Sequence, residues 1–201
     1  MDWVKILRDE ARYNSIIVAE ELARRRHIGS ASLRTALWRQ QNRGLVERVT
    51  HGIYVNGLAP GFLPTDLVQV LRPNAYVSLE SALYDWGIST QSPSILTCVT
   101  AGKPREYRTK SFTIVFRAIA PRLFWGFQEK QARYASYRIA EPEKALLDWV
   151  YLSLQNGFTP DLDELDFKPI SRPKLLQYAE KYPATVLNLL LRSLATANFA
   201  A

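Results

Sequence analysis

The 201-residue chain holds one cysteine, one methionine, two histidines and no apolar run near the length of a membrane span. A lone Cys98 excludes an intramolecular disulfide and any zinc site built from several cysteines. It lies in the apolar run Ile95–Val99, where a buried structural thiol is the expected state. His27 and His51 are the only histidines, so His51 reads as a loop residue and not as a metal ligand. No metal, cofactor or catalytic residue is expected. The absence of a signal-peptide pattern and of an apolar stretch of about 18 residues leads us to expect a soluble, cytoplasmic protein with no membrane partner.

What the chain does have is positive charge. Lys plus Arg number 26 against 19 Asp plus Glu, a formal net charge of +7. That excess favours polyanions, nucleic acid first. It sits in two places, residues 1–57 and residues 101–138. The length suits one large or two small domains with an ample core.

The most informative stretch is Gly29–Val55, GSASLRTALWRQQNRGLVERVTHGIYV. Ser30 and Ser32 are each able to cap a helix start. Leu33, Ala36, Leu37 and Gln40 fall on one helical face. Ala31, Arg34, Thr35, Trp38, Arg39 and Asn42 fall on the other. Gly44 is the expected left-handed stop. Leu45–Val49 and Ile53–Val55 are β-rich runs joined through Thr50-His51-Gly52, a hairpin-length turn. Upstream, Trp3, Val4, Leu7 and Ala11 repeat at helical spacing, Ser15–Val18 is a short β-like step, and Ala19–Arg25 is a second helix. Arg24, Arg25 and Arg26 end that helix, either as a solvated terminus or as a phosphate contact. Helix, strand, helix, turn, helix, hairpin is the order of a winged helix-turn-helix, in which the last helix enters the major groove and the hairpin touches the adjacent backbone. The expected fold class is α+β, with a winged helix-turn-helix at residues 1–57 and a mixed α/β domain at residues 58–201.

Asn56–Gly61 is rich in breakers and reads as a linker. Thr65–Leu71 and Ser78–Trp86 read as helices, the latter capped by Ser78 and stopped by Gly87. Ile95–Thr100, Phe112–Ile119 and Tyr134–Ile139 read as strands, with Ala101–Lys110 a polar basic connection. Glu141-Pro142-Glu143 opens a helix through Leu154. Thr159–Asp166 is an acidic loop, and helices near Arg172–Lys181 and Ala184–Ala197 finish the chain.

Three blocks carry a resemblance: the stretch ending RGLVERVTHGIYV, AYVSLESALYDWGISTQSP at Ala75–Pro93, and IAEPEKALLDWVYL at Ile139–Leu152. In this order and spacing the chain resembles the AbiEi-type antitoxins, transcriptional regulators of bacterial type IV toxin–antitoxin systems. The resemblance reaches to about Leu154. It implies an N-terminal winged helix that binds double-stranded operator DNA and represses its own operon. It also implies a C-terminal domain that counters a nucleotidyltransferase-type toxin, directly or indirectly. Some relatives look like stand-alone regulators, so a regulator without a toxin stays open.

On this reading Arg34 and Arg39 would meet guanine or clamp phosphates, and Thr35 would touch a base edge or a thymine methyl. Ser30 and Ser32, with the first helix amides, would hold a phosphate. Arg43, Arg48, Thr50 and His51 would meet the backbone around the wing, while Trp38 is expected to pack on the first helix. A second basic patch, Lys103, Arg105, Arg108, Lys110, Arg117 and Arg122, would extend the footprint, face an anionic partner such as RNA, or be a solvated edge. One helix-turn-helix reads few base pairs, so two copies on one operator are expected.

A nuclease or RNA-processing enzyme with a DNA-binding arm is the reading from another class. Asp161 and Asp166-Phe167-Lys168 match an acid and acid-x-Lys pair in letters, but a separation of five positions between the acids leaves no room for a strand turn. Glu141-Pro142-Glu143-Lys144 has no acid two before its lysine, and helix-start electrostatics accounts for Glu143. A nucleotidyltransferase would need paired acids about a dozen residues after Gly29-Ser30, and none occurs before Glu47. Ser78, Glu80 and Ser81 lack a nearby histidine base. The expectation is therefore that the chain is not an enzyme.

Overall fold

The computed structural model of the chain describes residues 1–196. It is a mixed α and β structure with two sheets. The first residues build α1 (Trp3–Ala11), β1 (Ile16–Val18), α2 (Ala19–Arg26), α3 (Ser30–Asn42), β2 (Val46–Thr50) and β3 (Ile53–Asn56). The three strands pair antiparallel in the order β1-β3-β2. This is the expected element order, to within a residue at each boundary.

Local chemistry explains these elements. Asp2 caps α1 by accepting from the Lys5 amide at 3.1 Å, one orphan donor satisfied. Leu7, Leu22, Leu33 and Leu37, one stripe from each of three helices, are at most 2% exposed and close on Ile17, Val46 and Tyr54 of the small sheet. Burying each such side chain is worth about 1.5–3 kcal/mol. α3 turns its Leu33, Ala36, Leu37 and Gln40 face inward as its periodicity predicts. The chain leaves α3 through Gly44 at φ +72°, the left-handed backbone that glycine adopts without penalty.

The small sheet is buried on both faces. Strand alternation sends Ile17 and Tyr54 to the helices, while Ile16 and Val55 join the core of the rest of the chain. Between Arg48 and Thr50 the β2–β3 register slips by a bulge, which leaves Val49 in that second core as well. The breaker-rich stretch after β3 is likewise packed and is not a free tether. Asn56 is fully buried, its amide donating to the Leu7 carbonyl at 2.8 Å and its carbonyl accepting from the Leu58 amide.

The second unit follows. A 3₁₀ turn at Pro64–Leu67 leads into α4 (Val68–Leu71), where one continuous helix was expected. Then come β4 (Ala75–Val77), α5 (Leu79–Asp85), β5 (Leu96–Thr100), β6 (Arg105–Arg108), β7 (Thr113–Ala118), β8 (Phe127–Gln131), β9 (Ser136–Ala140), α6 (Pro142–Gln155), α7 (Arg172–Ala179) and α8 (Ala184–Thr196). The expected end of the last helix, Ala197, lies outside the described residues. The six strands form one mixed sheet in the order β6-β7-β5-β4-β9-β8. The connection expected over Ala101–Lys110 contains β6, whose residues other than Tyr107 are exposed. An edge strand shows water on one side and both faces of its ends, so it reads as polar loop. Cys98 is fully buried in β5, as expected. Among the described residues no helix is long and apolar enough to cross a membrane.

The core of this unit is tied by charge. Lys144 and Asp148, one turn apart on α6, are both 0% exposed and paired with each other. The ammonium also donates to the Tyr76 and Tyr182 hydroxyls at 3.0 and 2.7 Å. The carboxylate accepts from Tyr76 and Ser78 at 2.9 Å each and from Tyr182 at 2.7 Å. Burial pushes the Lys144 pKa down, opposed by Asp148, and pushes the two tyrosines up, reinforced by Asp148. Gly126 lets the lysine stem pass, since a Cβ there would sit 3.2 Å from its carbons. Ser78 does stand at the start of α5, but its hydroxyl serves Asp148 and not the helix amides. Glu143 is also buried, at 3%, and accepts from the Ser171 amide at 2.8 Å while pairing with Lys174. Its place at a helix start was expected; its role as a tie to α7 was not.

Removing one partner of such a pair leaves an uncompensated buried charge. Asp148→Asn is expected to lower the unfolding free energy in urea by about 3–5 kcal/mol, and Lys144→Met added to it to restore part of that loss. A loss under about 1 kcal/mol in the single variant would show that the pair does not hold this core.

Candidate nucleic-acid interface

The outward face of α3 is assembled as its spacing predicts. Ser30, Ser32, Arg34, Thr35, Arg39 and Arg43 are all exposed. Neither serine caps the helix, however. Gly29 occupies the cap position and has no side chain to offer, and the first helical bond runs from the Leu33 amide to its carbonyl. The first-turn amides are thus left without a side-chain acceptor, which is the state in which they can receive an anion. Thr35 bonds back to the Ala31 carbonyl at 3.1 Å, leaving its methyl and an oxygen lone pair outward.

Trp38 departs from expectation. It stands 60% exposed on the outward face of α3, with most of its side chain left to water. Periodicity had assigned it to the polar face; residue type alone argued for burial.

Grooves flank α3 on both sides. One, of about 580 Å³, is lined by Ser32, Thr35, Arg39 and Arg43 with Trp3 of α1. The other, of about 490 Å³, runs between α3 and the hairpin and is lined by Ser30, Arg34, Arg48 and His51, with Glu20 of α2 as its acidic member. All of the predicted residues but Thr50 are therefore brought onto one helix and its two margins. Thr50 lines neither groove and is half-buried; its carbonyl accepts from the Arg48 guanidinium at 3.3 Å, which steadies that side chain along the hairpin. His51 and Gly52 make the hairpin tip, with Gly52 at φ +74°. Among the described residues the guanidiniums of Arg34, Arg39 and Arg43 make no hydrogen bond or ion pair, so three positive charges face solvent.

The arginine triplet that ends α2 resolves differently. Arg25 and Arg26 both bind the nearly buried Glu10 of α1, at 2.8 and 2.9 Å. They brace α2 against α1, a use neither sequence alternative named.

The members of the second basic patch take up different partners. Arg108 pairs with Glu106 at 2.8 Å and Arg105 lies over the Tyr107 ring. Arg117 lines a cleft with Glu80, Trp149 and Phe158. Arg122 donates to the Lys181 carbonyl at 3.2 Å. Lys103 and Lys110 are exposed. Lys110 sits at the β6–β7 turn, which meets the hairpin: Glu47 of β2 accepts from the Lys110 and Ser111 amides at 2.6 and 3.1 Å. Burial works to raise the Glu47 carboxyl, but hydrogen bonds from Ser111, Lys110 and Thr109 outweigh it and hold its pKa below the usual value.

Asp161 is exposed, whereas Glu143, Lys144 and Asp148 are committed to the core. Among the described residues no group of three His, Cys, Asp or Glu side chains could hold a metal ion.

A folded-state pKa held down means that the Glu47 contact stabilises above the unfolded carboxylate's pKa and is lost as pH falls through the folded one. Thermal melts of the wild-type chain and Glu47→Gln should differ at about pH 7 and converge as pH falls below the usual carboxylate range. A gap that persists unchanged at acid pH would show that the carboxylate charge plays no part in joining hairpin to sheet.

No family model matches this chain and no curated protein matches it, so the two grooves have to be read from their own chemistry.

Proposed function

We propose that residues 1–57 form a winged helix-turn-helix and that the chain is a sequence-specific, DNA-binding transcriptional regulator. The observation that carries this is the outward face of α3, with three unpaired guanidiniums, open first-turn amides and a groove on each side. A duplex fits such a face: the helix lies in the major groove and the flanking ridges of hairpin and α1 lie over the two phosphate backbones. The hairpin would then present Arg48 and His51 to one strand. Arg34, Thr35 and Arg39 would face base edges. Trp38 adds a contact that the sequence did not suggest, an indole edge suited to a thymine methyl or to sugar carbons.

The resemblance supports the further reading that the chain is the antitoxin of a type IV toxin–antitoxin system, repressing its own operon and counteracting a nucleotidyltransferase-type toxin through residues 58–201. The second and third blocks behind that resemblance contribute Tyr76 and Ser78, and Lys144 and Asp148, to one buried network. The fold thus gives a reason for the two blocks to occur together. No catalytic group enters this reading.

The test is binding of the full chain to its own promoter duplex and to a scrambled duplex, at two salt concentrations. Promoter preference should disappear in Arg34→Ala/Arg39→Ala. Trp38→Ala should weaken promoter binding by roughly 1–3 kcal/mol, in the range of one base-contact loss, without lowering the melting temperature. The log–log salt slope should fall by about 0.9 for each phosphate contact removed. Equal binding to both duplexes in the wild-type chain would contradict sequence-specific regulation.

A further inference from the structure

A second cluster of arginines lies where the two units meet. A cleft of about 360 Å³ is lined by Arg8, Arg12 and Tyr13 from the end of α1, Pro60 from the connection, and Arg133 and Tyr134 from the β8–β9 turn. No acidic side chain lines it, and none of the three arginines has an ion-pair partner among the described residues. Arg8 and Arg12 stand one helical turn apart, a like-charge spacing that is mildly unfavourable. A helix C-terminus welcomes cations, which accounts for those two. It does not account for Arg133, which the other unit brings to the same cleft.

Arg133 is held there. Its guanidinium lies over the Tyr134 ring, and the Tyr134 hydroxyl donates to the Pro60 carbonyl at 2.7 Å. Gly61, at φ +70°, makes room for it: a Cβ at that position would come within 2.8 Å of the guanidinium. The Tyr13 ring stands 82% exposed at the rim, with no packing to explain its position. Guanidinium forks lining one cleft match the geometry of phosphate oxygens, and an exposed aromatic side chain beside them suits a flat base.

We propose that this cleft binds a nucleotide, its phosphates bridging Arg8 and Arg12 to Arg133 and its base lying against Tyr13. Because the arginines come from both units, the ligand would clamp the helical unit to the six-stranded sheet.

The test is calorimetric titration of the full chain with ADP, inorganic pyrophosphate and adenosine. ADP should bind, pyrophosphate more weakly and adenosine not at all. Arg12→Gln and Arg133→Gln, distant in sequence and both on the surface, should each weaken ADP binding by about tenfold or more, while Arg34→Ala should leave it unchanged. Equal affinity for ADP and pyrophosphate would overturn the base contact and leave an oxyanion site only. Failure of the wild-type chain to bind ADP, or binding indifferent to both variants, would overturn the proposal. So would variants that weaken only promoter binding, since the arginines would then belong to the DNA footprint.

Discussion

The structure of the larger unit depends on one buried ion pair. Lys144 and Asp148 are removed from water together, and neither could be there alone, because an isolated charge in an apolar interior costs far more than one domain can offset. Every lone pair and proton of the pair is therefore committed. Tyr76 and Ser78 reach it from β4 and the start of α5, and Tyr182 reaches it from the segment between α7 and α8. The pair thus fixes where α6 lies against the sheet and where the C-terminal helices dock. Leu79, just after Ser78, is held at φ 57°, a left-handed backbone that costs a non-glycine residue roughly 1–2 kcal/mol. The chain bears that strain at the point where Ser78 must turn toward Asp148.

The pair reaches the outer face of α3 through a sequence of packed layers. The sheet it anchors supplies the core against which Ile16, Val49 and Val55 pack. Those residues belong to the small sheet, whose other side, Ile17, Val46 and Tyr54, holds α3 by Leu33 and Leu37. The helix proposed to meet DNA is consequently mounted on a wall shared with the second unit, with Glu47 adding a hydrogen-bonded contact at the hairpin.

How much of this was legible depended on whether local pattern or distant partners decided a residue's fate. Leu33, Ala36, Leu37 and Gln40 were legible because helical periodicity alone sorts them inward, and Gly44 because a left-handed stop selects glycine. β6 and β8 were not, since edge strands with mostly exposed side chains carry no apolar alternation. The burial of Lys144 and Asp148 was not legible either, since Tyr76 and Tyr182, which close over them, lie 68 and 38 residues away from Lys144. Trp38 failed in the opposite sense: its position in the helix was the better guide than its residue type. The second basic patch was legible only as charge, because what its members touch, a neighbouring glutamate, a ring or a backbone carbonyl, is set by the fold.

The measurement that bears most directly on the role of α3 uses the chain's chemistry. Cys98 is fully buried and burial pushes its thiol pKa up, so it resists alkylation, and a cysteine introduced by Asn42→Cys at the exposed end of α3 is the one reactive thiol. Coupled to a DNA-cleaving iron chelate, the full chain should cut its promoter duplex at one discrete site for each bound copy. Uniform cutting along a duplex that the protein still binds would contradict the account, because α3 would not be the element that takes a fixed register on DNA.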